Sequence, residues 1–186
     1  MKNYEVNLMR TSGIKSNLNY RLMKLFHYNP IFNHLSNPYE LLKEAGITEG
    51  QIVLEVGCGN GYYTIPSAEM ITNNGKVFAL DVNSMAISEV TEKMNNKKLH
   101  NIIPLHKDAM NTGLDDNSID LSFFFGVPRL FRMQDVFNKV FNEIYRITKP
   151  HGTVVIKSGN QKLISRVESY NLKLIKRTNK LLIFQK

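Results

Sequence analysis

The chain contains no tryptophan and a single cysteine, Cys58, among its 186 residues. One cysteine excludes an intramolecular disulfide and any metal site built on several thiolates, so oxidative cross-linking plays no part in the fold. Long apolar runs are also missing. LSFFFGV is far shorter than the roughly 20 residues a membrane helix needs, and MKNYEVNLMRTSG has neither the apolar stretch nor the small-residue cleavage site of a secretory signal. The expectation is a cytoplasmic protein with no membrane span. What is present is ordinary for a globular chain: 42% hydrophobic and 22% charged residues, enough for one domain with a real core and little for a second.

Acid is scarce toward the C-terminus. Residues 139–186 carry eleven Lys and Arg against two Asp and Glu, whereas residues 51–138 carry seven against ten, so the net charge of +8 has a C-terminal origin. Such an excess suits nucleic acid, anionic lipid or an acidic substrate. Scattering of the lysines among apolar residues favours the plainer reading, a solvated strand-and-helix edge.

Residues 1–35 are rich in Asn, Tyr and Lys, with weak helical spacing and no strand-like run, and are read as an N-terminal helical extension or lid ahead of a domain spanning 36–186. From Asn37 the pattern tightens. NPYELLKEAGI offers a capping Asn37, Pro38 at the first helical position and Gly46 as the stop. Apolar strands then alternate with helices: QIVLEV, the helix YYTIPSAEMI, GKVFALDV, the helix SMAISEVTEKMNN, NIIPLHKDA, SIDLSFFFGV, the helix MQDVFNKVFNEIYRIT, and GTVVIKSG. Strands apolar on both faces and separated by helices predict a doubly wound, mostly parallel α/β sheet with helices on both faces. NLKLIKR and LLIFQK, joined by TNK, predict a closing antiparallel hairpin.

In such a sheet ligands bind beyond the carboxyl ends of the strands, near the point where strand order reverses. The first strand leaves through IVLEVGCGNGYY, with Gly57, Gly59 and Gly61 able to take positive φ and to let backbone lie against a ligand. A dinucleotide fingerprint would require glycine at Tyr62, and a Walker loop would require a Gly-Lys-Ser/Thr ending; both are absent. Glu55, at the strand end, opposes a pyrophosphate and suits a cationic or amine-bearing ligand. Asp81 closes VFALD, at the position from which a carboxylate accepts both hydroxyls of a ribose. In KDAMNTG, Asp108 can accept from an exocyclic adenine amine and Ala109 leaves room for the ring. Phe125, at the exit of IDLSFFFGV behind Asp120, can bound the pocket. Cys58 reads as a small residue in a tight turn.

VLEVGCGNGYYTIPSA, VFALDVN, KDAMNTGLDDNSIDLSFFFGV and EIYRITKPHGTVVI together resemble the ordered motifs of class I S-adenosylmethionine-dependent methyltransferases over residues 37–158. Within that class the resemblance is to the small-molecule group of quinone-biosynthesis C-methyltransferases and arsenite methyltransferases. It implies a Rossmann-like seven-stranded sheet ending in an antiparallel pair, and S-adenosyl-L-methionine as cofactor. On this chain it implies that Glu55 faces the methionine amino group through the turn or a water, that Gly57 and Gly59 contact the methionine and ribose portions, and that Cys58 and Gly61 complete the cofactor-binding turn. It places Asp81 on the ribose hydroxyls, Val82 on the adenine face, Asp108 with Ala109 on the adenine edge, and Phe125 beside the place of methyl transfer. It also implies that Pro150 and Gly152 shape a turn into the fifth strand.

The sulfonium already activates the methyl, so the protein's share is proximity and alignment. No catalytic residue follows from the motifs, nor does an oligomeric state. The chain departs from that pattern in two places. Pro128, Arg129 and Arg132 stand where quinone-type enzymes carry a histidine-containing stretch, and they read as anionic-substrate contacts or, more simply, solvated arginines. The arsenite enzymes' thiolates are absent. A short tail after the fifth strand shifts attention to residues 1–35, where Tyr20, His27, Tyr28 and His34 are candidates for lining the acceptor pocket. The expected partner is a small-molecule methyl acceptor. A nucleic-acid methyltransferase is suggested by the basic C-terminus but lacks an Asn-Pro-Pro-Tyr-type motif, having FGVP in its place. A non-catalytic module that keeps S-adenosylmethionine as a bound ligand is the remaining alternative, while a nicotinamide oxidoreductase is disfavoured by Tyr62 and Glu55.

Overall fold

The computed structural model describes residues 37–127 and 130–186. The expected extension over residues 1–35, with Tyr20, His27, Tyr28 and His34, lies outside them, as do Pro128 and Arg129. Helix α1, Pro38–Ala45, begins where Asn37 accepts the Tyr39 N–H at 3.0 Å and ends at Gly46 with φ of 94°. It leads into β1, Ile52–Val56, and then α2, Thr64–Ile71; β2, Lys76–Asp81; α3, Ser84–Asn96; β3, Ile102–His106; and β4, Ile119–Phe124. A 3-10 turn, Leu130–Arg132, precedes α4, Gln134–Ile147, and then come β5, Thr148–Lys157; α5, Lys162–Glu168; β6, Lys173–Arg177; and β7, Leu181–Gln185.

The seven strands form one sheet in the order β3-β2-β1-β4-β5-β7-β6. β1, β2, β3, β4 and β5 are parallel, and β7 is antiparallel to both β5 and β6. The expected hairpin is therefore present, but its second strand is the inner one. Burial gives the reason: Leu181, Leu182, Ile183 and Phe184 are all buried, whereas KLIKR is largely exposed and can only occupy an edge.

Two cores flank the sheet. Alternation along β4 sends Phe123 to one face and Phe124 to the other. Phe124 stacks on Phe141 of α4 at 5.6 Å, and Phe141 on Phe137 at 4.2 Å. The apolar stripe of α4 that supplies these rings, Val136, Phe137, Val140, Phe141, Ile144 and Ile147, is the amphipathic spacing read from the sequence. The other face takes Leu42 of α1, Ile65 and Ile71 of α2, and Val90 of α3.

Two local features differ from the sequence reading. β5 starts directly at Thr148, so Pro150 and Gly152 lie within an irregular first half of the strand rather than in a turn before it. The register shifts between Ile119 and Leu121, His151 takes φ of 65°, and a Cβ on Gly152 would sit 2.8 Å from Thr148 Cγ2. Helix α5 was not anticipated, although Asn160 accepts the Lys162 N–H at 3.1 Å and Leu163 and Val167, four apart, are buried. Asp120 stands at the amino end of the sheet, accepting from Ile52 N at 2.8 Å and Lys149 Nζ at 2.7 Å. It ties β1, β4 and β5 together at the end of the sheet opposite the glycine turn. Among the described residues no helix is long and apolar enough to cross a membrane.

The loop after β3 is clasped to α4 through Glu143. Its carboxylate accepts Thr112 N–H at 2.9 Å, Thr112 Oγ1 at 2.6 Å and two Arg146 nitrogens at 2.8 Å, while Arg146 also reaches Asp116 and Leu114 O. These bonds, the Arg146 guanidinium first, lower the Glu143 carboxyl to about 2. A depressed folded value gives stability that is full above the ordinary carboxyl value and is lost as pH falls toward 2. We predict that Glu143→Ala costs about 2 kcal/mol in urea unfolding at pH 7, and that its deficit relative to wild type shrinks steadily as the pH is lowered through the acid range. A deficit independent of pH would exclude the clasp as its source.

Candidate functional site

The order of the strands reverses between β1 and β4, and open parallel sheets form their ligand crevice beyond the carboxyl ends at such a point. The glycine turn forms its floor. Gly57, Gly59 and Gly61 take φ of 79°, 53° and 82°. Gly57 and Cys58 both donate N–H to Leu80 O, at 2.8 and 3.0 Å, and Gly59 N–H donates to Asp81 Oδ2 at 3.0 Å. The turn is thus laced to the end of β2. A Cβ at Gly57 would fall 2.3 Å from Val127 Cγ1, so side chains are excluded there by contact as well as by φ.

Asp81 uses its other oxygen, Oδ1, to accept Asn83 N–H at 2.9 Å. Burial raises its carboxyl, opposed by these backbone N–H donors and by His106. Val82, the next residue, is 44% exposed, an apolar side chain left open at the strand exit. Asp108 accepts Met110 N–H at 2.9 Å through Oδ1, and Ala109 is buried beside it. Phe125 is half-buried, 4.7 Å from the ring of Phe123 and 5.0 Å edge-on to Tyr63. The fold therefore brings the glycine turn, Asp81, Val82, Asp108 with Ala109, and Phe125 to one end of the sheet. Arg132 is exposed at the close of the 3-10 turn.

Glu55 is more enclosed than its position at the strand end suggests, whereas Cys58 is the small turn residue expected. Glu55 is not an open carboxylate: it is 2% exposed and accepts from Thr64 Oγ1 at 2.5 Å. Burial, with the nearby Asp81 charge, pushes its carboxyl up to about 8. Cys58 is 3% exposed, and burial drives its thiol far above the ordinary range, so it is a packing residue rather than a nucleophile. Sequence reasoning passed over Thr64 and Tyr63. The signal available was their position, directly after the turn, where a helix start must face the crevice.

The pattern of the family described as "Methyltransferase domain" matches residues 53–152, more than half of the chain. The chain belongs to the methyltransferase-domain family. Demethylmenaquinone methyltransferase of Geobacillus sp. (strain WCH70) is 30% identical over 129 residues, which cover 69% of this chain and 53% of that protein. Demethylmenaquinone methyltransferase of Listeria welshimeri serovar 6b is 32% identical over 120 residues, covering 64% and 49%. The chain thus spans about half the length of the curated relatives it matches. Among solved structures, a SAM dependent methyltransferase from Aquifex aeolicus superposes with a TM-score of 0.71 at 24% identity, covering 84% of this chain and 92% of that one. A putative S-adenosyl-L-methionine-dependent methyltransferase from Methanococcus maripaludis gives 0.68 at 20%, covering 92% of both. These two likenesses establish the fold.

For this methyltransferase domain the buried Glu55 has a measurable signature. A folded value near 8 means that folding takes up a proton above the ordinary carboxyl value of 4.5. The stability of the protonated form is full below that ordinary value and is lost as pH rises through the folded one. Relative to Glu55→Gln, the wild-type chain is predicted to lose roughly 3 kcal/mol of unfolding free energy between about pH 5 and 7. Parallel pH profiles for the two proteins in urea titrations would exclude a buried, raised carboxyl.

Proposed function

We propose that this chain is an S-adenosyl-L-methionine-dependent methyltransferase acting on a small-molecule acceptor. The observation that carries the proposal is the glycine turn hydrogen-bonded to Asp81, with the exposed Val82 directly beyond it. The donor set fits an adenosyl group. Asp81 accepts hydroxyls of a diol, Val82 gives an apolar surface to one face of a flat base, and Asp108 with Ala109 borders its edge. Glu55, raised as a free acid, ionises more readily once an ammonium group lies near it, which suits the aminoacyl end. Gly57, Cys58, Gly59 and Gly61 present backbone to the ligand between these two ends.

When bound, the cofactor supplies an activated methyl group for in-line displacement. The chain's own residues do the rest by binding and orienting both reactants and by excluding water, with Phe125 as a wall on the β4 side. Support for a small acceptor comes from the relatives named demethylmenaquinone methyltransferase. The basic residues of the C-terminal part are spread over α4, β5, α5 and the β6–β7 hairpin rather than massed at the β1–β4 crevice, which counts against a nucleic-acid acceptor.

Calorimetry with S-adenosylhomocysteine tests the cofactor assignment. Saturable binding is expected for the wild type, with affinity at least tenfold weaker in Asp81→Ala and an intermediate loss in Asp81→Asn, which keeps one acceptor oxygen. Circular dichroism checks that both variants remain folded. Equal affinity in all three proteins, or no binding by the wild type, overturns the proposal, and transfer of labelled methyl into a metabolite extract tests turnover.

A further inference from the structure

Tyr63 and Lys157 take no part in the cofactor set, yet they meet beside it. Lys157 is the last residue of β5, paired with Leu181 of β7, and Tyr63 directly precedes α2. Val155 packs on the same face as Phe123, and strand alternation returns Lys157 to that face two residues later, at the strand exit. Its Nζ lies 3.1 Å from Tyr63 Oη and 5.6 Å from the centre of the ring. The Tyr63 ring is edge-on to Tyr62 at 4.8 Å and to Phe125 at 5.0 Å. An ammonium group and a hydroxyl thus stand together on an aromatic rim, over the exits of β1, β4 and β5.

The chemistry of the pair is specific. The ammonium can only donate, so it uses the phenol oxygen as acceptor and leaves the phenol proton available to another group. Burial pushes the Tyr63 hydroxyl up to about 12, which keeps that proton in place at neutral pH. Among the described residues Lys157 forms no ion pair. The backbone of Lys180 is also near, its carbonyl accepting Ser158 N–H at 3.0 Å, and among the described residues Lys180 forms no ion pair. Two donors this close, one of them charged, match the two oxygens of a single carboxylate, the arrangement that gives short charge-assisted bonds. A neutral amide or a lone phenol would use the pair only in part.

We propose that Tyr63 and Lys157 bind the carboxylate of a flat aromatic methyl acceptor, whose ring lies against Phe125. The methyl-acceptor part of this statement rests on the proposed function; the carboxylate site rests on the Tyr63–Lys157 geometry alone. Ligands of open parallel sheets enter at the strand exits where these residues stand.

Titration with 2-naphthoate, 2-naphthamide and 2-naphthol, each with and without saturating S-adenosylhomocysteine, decides it. The carboxylate is expected to bind wild type at least tenfold more tightly than the amide or the naphthol. Lys157→Met is expected to abolish that discrimination, and Tyr63→Phe to weaken naphthoate binding several-fold. Both variants should keep S-adenosylhomocysteine affinity within twofold, a result that a merely structural role for either side chain would not produce alongside lost discrimination. Equal binding of the three probes, failure of naphthoate to bind, or discrimination that survives Lys157→Met overturns the carboxylate site. Discrimination that depends on Lys157 in a chain that fails to bind S-adenosylhomocysteine would keep the anion site and remove the methyltransferase reading instead.

Discussion

Everything at the open end of this sheet depends on one lacing of backbone to backbone and carboxylate. The end of β1 cannot continue as a strand, because Gly57 takes positive φ and turns the chain. The turn is caught by β2, with Leu80 O accepting two successive N–H groups and Asp81 accepting a third from Gly59. Three donors that would otherwise face an apolar strand exit are satisfied without water. The same bonds fix the shape of the turn, so one short segment of β2 both closes the backbone and sets a carboxylate at the strand exit.

Burial gives the site its electrostatic character. Glu55 and Asp81 approach one another in a region with little solvent, and the burial cost is met differently for each. Asp81 is held by backbone N–H groups, whereas Glu55 has a neutral hydroxyl partner and a carboxyl raised to about 8. Away from the glycine turn acids are neutralised instead, Asp120 by Lys149 and Glu143 by Arg146.

Much of this was legible in the residue pattern. The alternation of apolar strands and amphipathic helices, the Asn37 cap, the Gly46 stop and the closing hairpin each rest on a local rule, and tertiary contacts did not override them. The glycine spacing and Asp81 were legible for the same reason, since a turn that needs positive φ can be read from where glycine stands. Helix α5 was not, because seven residues with two buried apolar positions carry too little periodicity. The start of β5 was misjudged because Pro150 and Gly152 ordinarily break a strand, and here they sit in an irregular stretch packed against Asp120 and Lys149.

By itself the sequence determined the class of fold, the turn that ends β1 and the residues placed at the strand exits, because these follow from periodicity, from glycine's freedom at positive φ and from the distance along the chain between Gly61 and Asp81. Only the tertiary structure decided that β7 lies inside β6, that Glu55 turns inward to Thr64 as a raised acid, and that Lys157 reaches Tyr63 across 94 positions of sequence. Those outcomes depend on which side chains compete for burial and on strands that meet only after the sheet has closed. No local pattern encodes such a competition.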